Sequence, residues 1–129
     1  MEDQRFFAKN VKNKMHLFCK AIILSFLFFQ TKAEEFVNGL GDVPIFKDMR
    51  SIEDSYILFD KVDGRYLYSE IMGEYEILEI QNYYKKVLPN LGWKLYKKNS
   101  FVRGDEILEI QYLVDNLETK VVFTISPKK

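Results

Sequence analysis

The side chains that could do chemistry fall in two short stretches. Asp60, Asp63 and Arg65 crowd together: two carboxylates able to hold a cation and a guanidinium able to anchor an anionic ligand. The same trio has a structural reading, with Asp63 serving a turn and Arg65 pairing with Asp60 across the strand ends. It is not an EF-hand loop, which needs further oxygen ligands and a closing Glu. Glu70, Glu74, Glu76 and Glu79 could supply the acid–base pair used in glycoside hydrolysis. The favoured reading is a solvated acidic run leading into a helix N-terminus, where negative charge is favourable. No Gly-rich phosphate loop, Ser-centred elbow or HExxH string is present.

Aromatic residues point elsewhere. Tyr56, Tyr66, Tyr68, Tyr75, Tyr83, Tyr84, Trp93, Tyr96 and Tyr112 are more than one face of a small core can use. Alternation along a strand sends Tyr66 and Tyr68 to one face and Leu67 and Ile71 to the other. A single helix covers only one face of a small sheet, so covering the aliphatic side leaves the tyrosines outward. Tyrosine is enriched at recognition surfaces, which makes Tyr66 and Tyr68, with Asp60 and Arg65 beside them, the candidate binding residues. The alternative is that the pair belongs to the core. No catalytic residue, metal ligand or cofactor is expected.

The elements that must position these residues are legible. Residues 56–60 and 65–71 are strand-like, and Asp63-Gly64 between them supplies the turn of a β-hairpin. From Glu76 the period changes: Ile77, Ile80, Tyr84, Val87, Leu88 and Leu91 fall at helical spacing. The helix ends at Gly92, placed as a left-handed C′ residue, and Pro89 loosens its last turn. Trp93 comes after the reversal and points back over the turn carrying Leu88. Short strands flank Asn99. Glu106 to Val114 alternates, with Leu108, Ile110, Tyr112 and Val114 on one face, and Val121, Phe123 and Ile125 mark the last strand. The order reads strand, strand, helix, strand, strand, strand: an α+β fold with one helix on an antiparallel sheet. Residues 34–54 are poorly patterned, with apolar pegs at Val43, Ile45 and Phe46, and read as an arm leaning on a domain of residues 55–129. The hexapeptide Glu76–Gln81 recurs as Glu106–Gln111, but the flanks share nothing, so chance is favoured over duplication.

Residues 1–33 stand apart. A basic lead, an apolar block from Ala21 to Phe29, and Thr31 and Ala33 at the −3 and −1 positions form a secretory signal peptide cut after Ala33. Met15 is itself a tidy start. The alternative is a membrane anchor over residues 17–29, although 13 residues make roughly 20 Å of helix against a hydrocarbon core of about 30 Å. Cys19 precedes the apolar block, which argues against a lipoprotein. The whole chain has 19 basic and 19 acidic residues. Without residues 1–33 the remainder keeps 13 against 17, a net charge of −4, and loses the only Cys and the only His. That balance argues against nucleic acid, and a cysteine-free domain suits an oxidising compartment.

Pro44, Phe59-Asp60, Gly64-Arg65, Tyr83-Tyr84, the phrase Leu88-Pro89-Asn90-Leu91-Gly92-Trp93, and Arg103 to Glu106 carry a resemblance. Over roughly residues 43–126 the chain resembles an uncharacterised family of small exported bacterial proteins. It departs in having Glu76 where Ser or Thr would cap the helix better. The resemblance implies fold and export and brings no activity. The function expected is an exported, non-catalytic envelope protein of periplasmic or secreted location that binds a protein, glycan or lipid. It would touch the membrane only through an uncleaved signal segment. The alternatives are a small carboxylate-dependent hydrolase and a membrane-anchored accessory subunit.

Overall fold

The computed structural model describes residues 11–20, 22 and 31–129, which form two compact units, Met1–Ala33 and Glu34–Lys129. In the first, residues 11–20 are helical (α1); most of the apolar block from Ala21 to Phe29, read from the sequence as part of a signal peptide, lies outside the described residues. Among the described residues no helix is long and apolar enough to cross a membrane.

The second unit is α+β. Its elements are β1 (Arg50–Ser51), a 3₁₀ turn (Glu53–Ser55), β2 (Ile57–Lys61), β3 (Gly64–Gly73), α2 (Ile77–Asn90), β4 (Lys94–Lys97), β5 (Ser100–Arg103), β6 (Glu106–Asp115) and β7 (Glu118–Pro127). All strands pair antiparallel in one sheet of order β1-β3-β7-β6-β5-β4, and β2 pairs with β3 beside β1. Four strands rather than three come after the helix, because the short segments around Asn99 are a complete hairpin. The two-residue β1 carries no periodicity that a sequence could show.

Chain reversals are set by single residues in the left-handed region. Asn99, Gly104 and Asn116 turn β4–β5, β5–β6 and β6–β7 with φ of 59°, 58° and 56°. The β2–β3 turn sits one residue earlier than the Asp63-Gly64 pair suggests: β2 ends at Lys61 and β3 opens with Gly64, leaving Val62 and Asp63 as the loop. Gly64 is still required, since φ is 138° and an added Cβ would come within 2.9 Å of Pro127.

Helix α2 starts at Glu76, whose side chain makes no capping bond. It ends in a Schellman arrangement: Trp93 N–H donates to Leu88 C=O at 3.0 Å and Gly92 N–H to Pro89 C=O at 3.1 Å, with Gly92 at φ 86°. This reversal folds Trp93 back against the helix end, where it is completely buried, as its position after Gly92 predicts.

One face of the sheet carries Leu67 and Ile71 of β3, Val121, Phe123 and Ile125 of β7, Leu108 and Ile110 of β6 and Phe101 of β5, all buried. Ile80, Tyr84 and Leu88 of α2 pack on it, and the Tyr84 ring meets Phe123 edge-on at 5.3 Å. The helix shares that face with residues 34–49. Val37, Leu40, Val43, Ile45, Phe46 and Met49 are all buried in the same cluster. The segment is pinned to the helix by Tyr84 Oη, which donates to Pro44 C=O at 3.0 Å, and by Phe46 against Tyr83 at 5.0 Å. The expected arm is therefore half of the lid over the core, not an appendage leaning on it. Its apolar residues have no helix or strand period to betray them, because the backbone folds through a local loop closed by Val37 N–H to Val43 C=O at 2.9 Å.

Candidate binding face on the sheet

Strand alternation leaves the opposite face of the sheet free of α2. Tyr66 and Tyr68 project there from β3, half-buried, while Leu67 between them is buried against the helix side. The register then brings in two residues that sequence reasoning missed. Ile57 lies opposite Tyr68 and Phe59 opposite Tyr66 across the β2–β3 ladder. Both are exposed, Phe59 by 59%. The signal was available: once the hairpin is drawn, the alternation of Ile57 and Phe59 must match that of Tyr68 and Tyr66.

Together with Glu109, Thr124 and Ser126, these four side chains line an open, mostly apolar groove of about 430 Å³. Thr124 enters because it pairs with Tyr68 on one side and Glu109 on the other. Farther along the same face Val122 is buried, while Leu113 stays exposed.

The tyrosine hydroxyls are held by carboxylates at the groove's rim. Tyr66 Oη donates to Asp63 at 2.8 Å and Tyr68 Oη to Glu70 at 2.5 Å. Each acceptor raises the ionisation of its tyrosine above the ordinary value, through the hydrogen bond first and burial second. The rings are thereby fixed and presented to solvent as neutral phenols. Lys61 lies over the Tyr66 ring, its Nζ 4.9 Å from the centroid.

Arg65 and Asp60 do not join this face. Arg65 alternates with Tyr66 to the other side of β3, where Nε and Nη2 donate to the two carboxylate oxygens of Glu106 at 2.6 and 3.2 Å. Nη1 also reaches Gly39 C=O at 3.4 Å. The hydrogen bond to Glu106 is the chief cause that raises the Arg65 ionisation, and the pair holds the guanidinium on the side of β3 away from the tyrosines. Asp60 is the register partner of Arg65, yet it acts on it only through charge. The cross-strand pairing expected of the two is replaced by an ion pair reaching past β7 to β6.

The carboxylate run is scattered by the helix start. Glu70 belongs to the tyrosine face and lies 3.9 Å from Lys120; Glu79 pairs with Lys47 at 2.5 Å; Glu76 is the helix N-cap residue. Glu74, Glu76, Glu79 and Glu118 do share an open cleft of about 510 Å³ below the β6–β7 turn. Glu118 there is clamped by Arg50, with oxygens 2.5 and 2.8 Å from the guanidinium, and is held below the usual carboxylate range. That is the opposite of what a general acid needs. Among the described residues no three His, Cys, Asp or Glu gather as a metal site.

No protein-family model, curated protein or solved structure matches this chain.

Proposed function

We propose that residues 34–129 are an exported, non-catalytic binding module of the cell envelope, with the Tyr66–Tyr68 face as its recognition surface. The observation that carries the reading is the cross-strand quartet of Ile57, Phe59, Tyr66 and Tyr68, left uncovered by α2 and open as an apolar groove. Rigid aromatic rings with tethered hydroxyls give contact area at small entropic cost, which suits recognition by a protein that brings no nucleophile to the site. The partner class is a protein, glycan or lipid of the envelope. Export rests on the basic lead, the apolar block and the Thr31–Ala33 site, and it is also what the family resemblance implies.

A photo-crosslinking residue at position 66 in living cells tests the surface, with the same residue at position 82, an exposed site on α2, as reference. Adducts formed from 66 and not from 82 support the face; equal or absent labelling overturns it. The N-terminus of protein recovered from cells tests the export. A start at Glu34 supports it, and a start at Met1 or Met15 in cytoplasmic material overturns it.

A further inference from the structure

Charge in the second unit is segregated along the chain. Between Ile80 and Gly104 there are six basic residues and no acidic one, although the unit as a whole has an acidic excess of four. One of the six, Arg103, is internally engaged with Asp42 and with Leu91 C=O. The other five, Lys85, Lys86, Lys94, Lys97 and Lys98, are exposed, and among the described residues none makes an ion pair. They stand on the exposed side of the last turns of α2, on β4, which continues directly from it through the Gly92 reversal, and, for Lys98, in the turn after β4.

We propose that β4 and the adjoining end of α2 dock on the surface of an anionic lipid bilayer. Two features of β4 select this occupant. Leu95 and Tyr96, 64% and 52% exposed, stand between Lys94 and the Lys97-Lys98 pair. Apolar and aromatic side chains flanked by ammonium groups fit the headgroup boundary, with the rings and methyls below the phosphates and the lysines at their level. The positive groups are all lysines. These are compact, strongly hydrated charges suited to a diffuse layer of phosphates, and they lack the planar fork that reads one phosphate bidentately. A strand-adding acidic peptide fits less well. β4 is the outermost strand, but it has four residues and its register slips between Leu95 and Lys97, which spoils a template for a further strand. The acidic remainder of the unit orients the molecule: it is repelled by the same bilayer that attracts the lysines, so docking presents β4 inward. This surface is independent of the tyrosine face.

The test uses the full chain with Cys19→Ser and Tyr96→Cys, labelled at position 96 with an environment-sensitive NBD dye. The probe is vesicles of phosphatidylcholine with about 30% phosphatidylglycerol, against phosphatidylcholine alone. The expected result is a blue-shifted, brighter emission with the anionic vesicles only, reversed by salt. In a Lys94→Gln, Lys97→Gln, Lys98→Gln background, affinity should fall roughly fivefold per lysine, about a hundredfold in all. Lys85→Gln with Lys86→Gln, on a helix surface that tolerates Gln, gives the smaller loss expected of two charges and serves if the triple variant does not fold. A dye that stays in water with anionic vesicles overturns the proposal. So does a shift that ignores the Gln substitutions, or an equal shift with phosphatidylcholine alone. A stronger response to poly-glutamate than to vesicles would assign the patch to an acidic polypeptide and overturn it as well.

Discussion

The guanidinium of Arg103 lies over the indole of Trp93, its carbon 4.2 Å from the ring centroid, and the same group donates from Nη1 to Leu91 C=O at 3.0 Å. One cation thus covers the only tryptophan and satisfies a carbonyl at the C-terminus of α2, where the helix dipole favours positive charge. It also ties β5 to the helix end. Trp93→Ala should destabilise by ~3–5 kcal/mol, the cost of an indole-sized hole at a site that cannot collapse. Arg103→Leu should cost ~1–2 kcal/mol, because the ring remains packed while the cation–π contact, the carbonyl cap and the partly exposed pair with Asp42 are lost. Chemical denaturation of both variants checks the ranking; a wild-type transition for Trp93→Ala would contradict it.

Residues 34–49 are part of the core, and single truncations there should read as core mutations. Leu40→Ala should cost ~2–5 kcal/mol and Phe46→Ala ~3–5 kcal/mol. Surface positions on an appended arm would give about 0.5 kcal/mol or less. Urea midpoints of the two variants separate these outcomes.

Stability should fall in alkali through buried phenols. Burial raises the ionisation of Tyr84 and of Tyr112 far above the ordinary tyrosine value of 10.0. A phenol that stays protonated in the folded state and ionises in the unfolded one favours unfolding as soon as pH exceeds the unfolded value. Its contribution is whole below about pH 10 and is lost as pH climbs toward the folded-state value, at about 1.4 kcal/mol per pH unit per group. Tyr84→Phe and Tyr112→Phe should each flatten that decline by one group's share. For Tyr84 this comes at the expense of the bond to Pro44 C=O. Unfolding free energies measured between pH 9 and 11 give the slope, and an unchanged slope in both variants would refute the assignment.

The repeated hexapeptide marks where sequence becomes ambiguous. Glu76–Gln81 opens a helix and Glu106–Gln111 is a strand. In the helix Ile80 is buried and Leu78 exposed; in the strand Leu108 and Ile110 are both buried. The six residues are identical, so their C-terminal neighbours make the choice. Tyr84 and Leu88 extend the helical period after the first copy, whereas Tyr112 and Val114 extend the alternation after the second. Periodic elements were therefore legible. The buried loop of residues 37–49 showed only its apolar pegs at Val43, Ile45 and Phe46, because its partners are set by tertiary closure. The fate of Arg65 was not legible: the sequence groups it with the tyrosines or pairs it with Asp60, and only the sheet order, with β7 between β3 and β6, brings Glu106 within reach.

The role proposed for Tyr66 and Tyr68 is recognition rather than core packing, and the unfolding free energies of the Tyr66→Ala and Tyr68→Ala variants decide between the two roles. Each side chain is half-buried on the face that α2 leaves open, and each hydroxyl is held by a nearby surface carboxylate. Each variant should therefore fold within ~1 kcal/mol of the wild type, as expected for positions outside the packed layer. A loss of ~3 kcal/mol or more from either one, the cost of emptying a core aromatic, would place the rings in the core and remove the binding face.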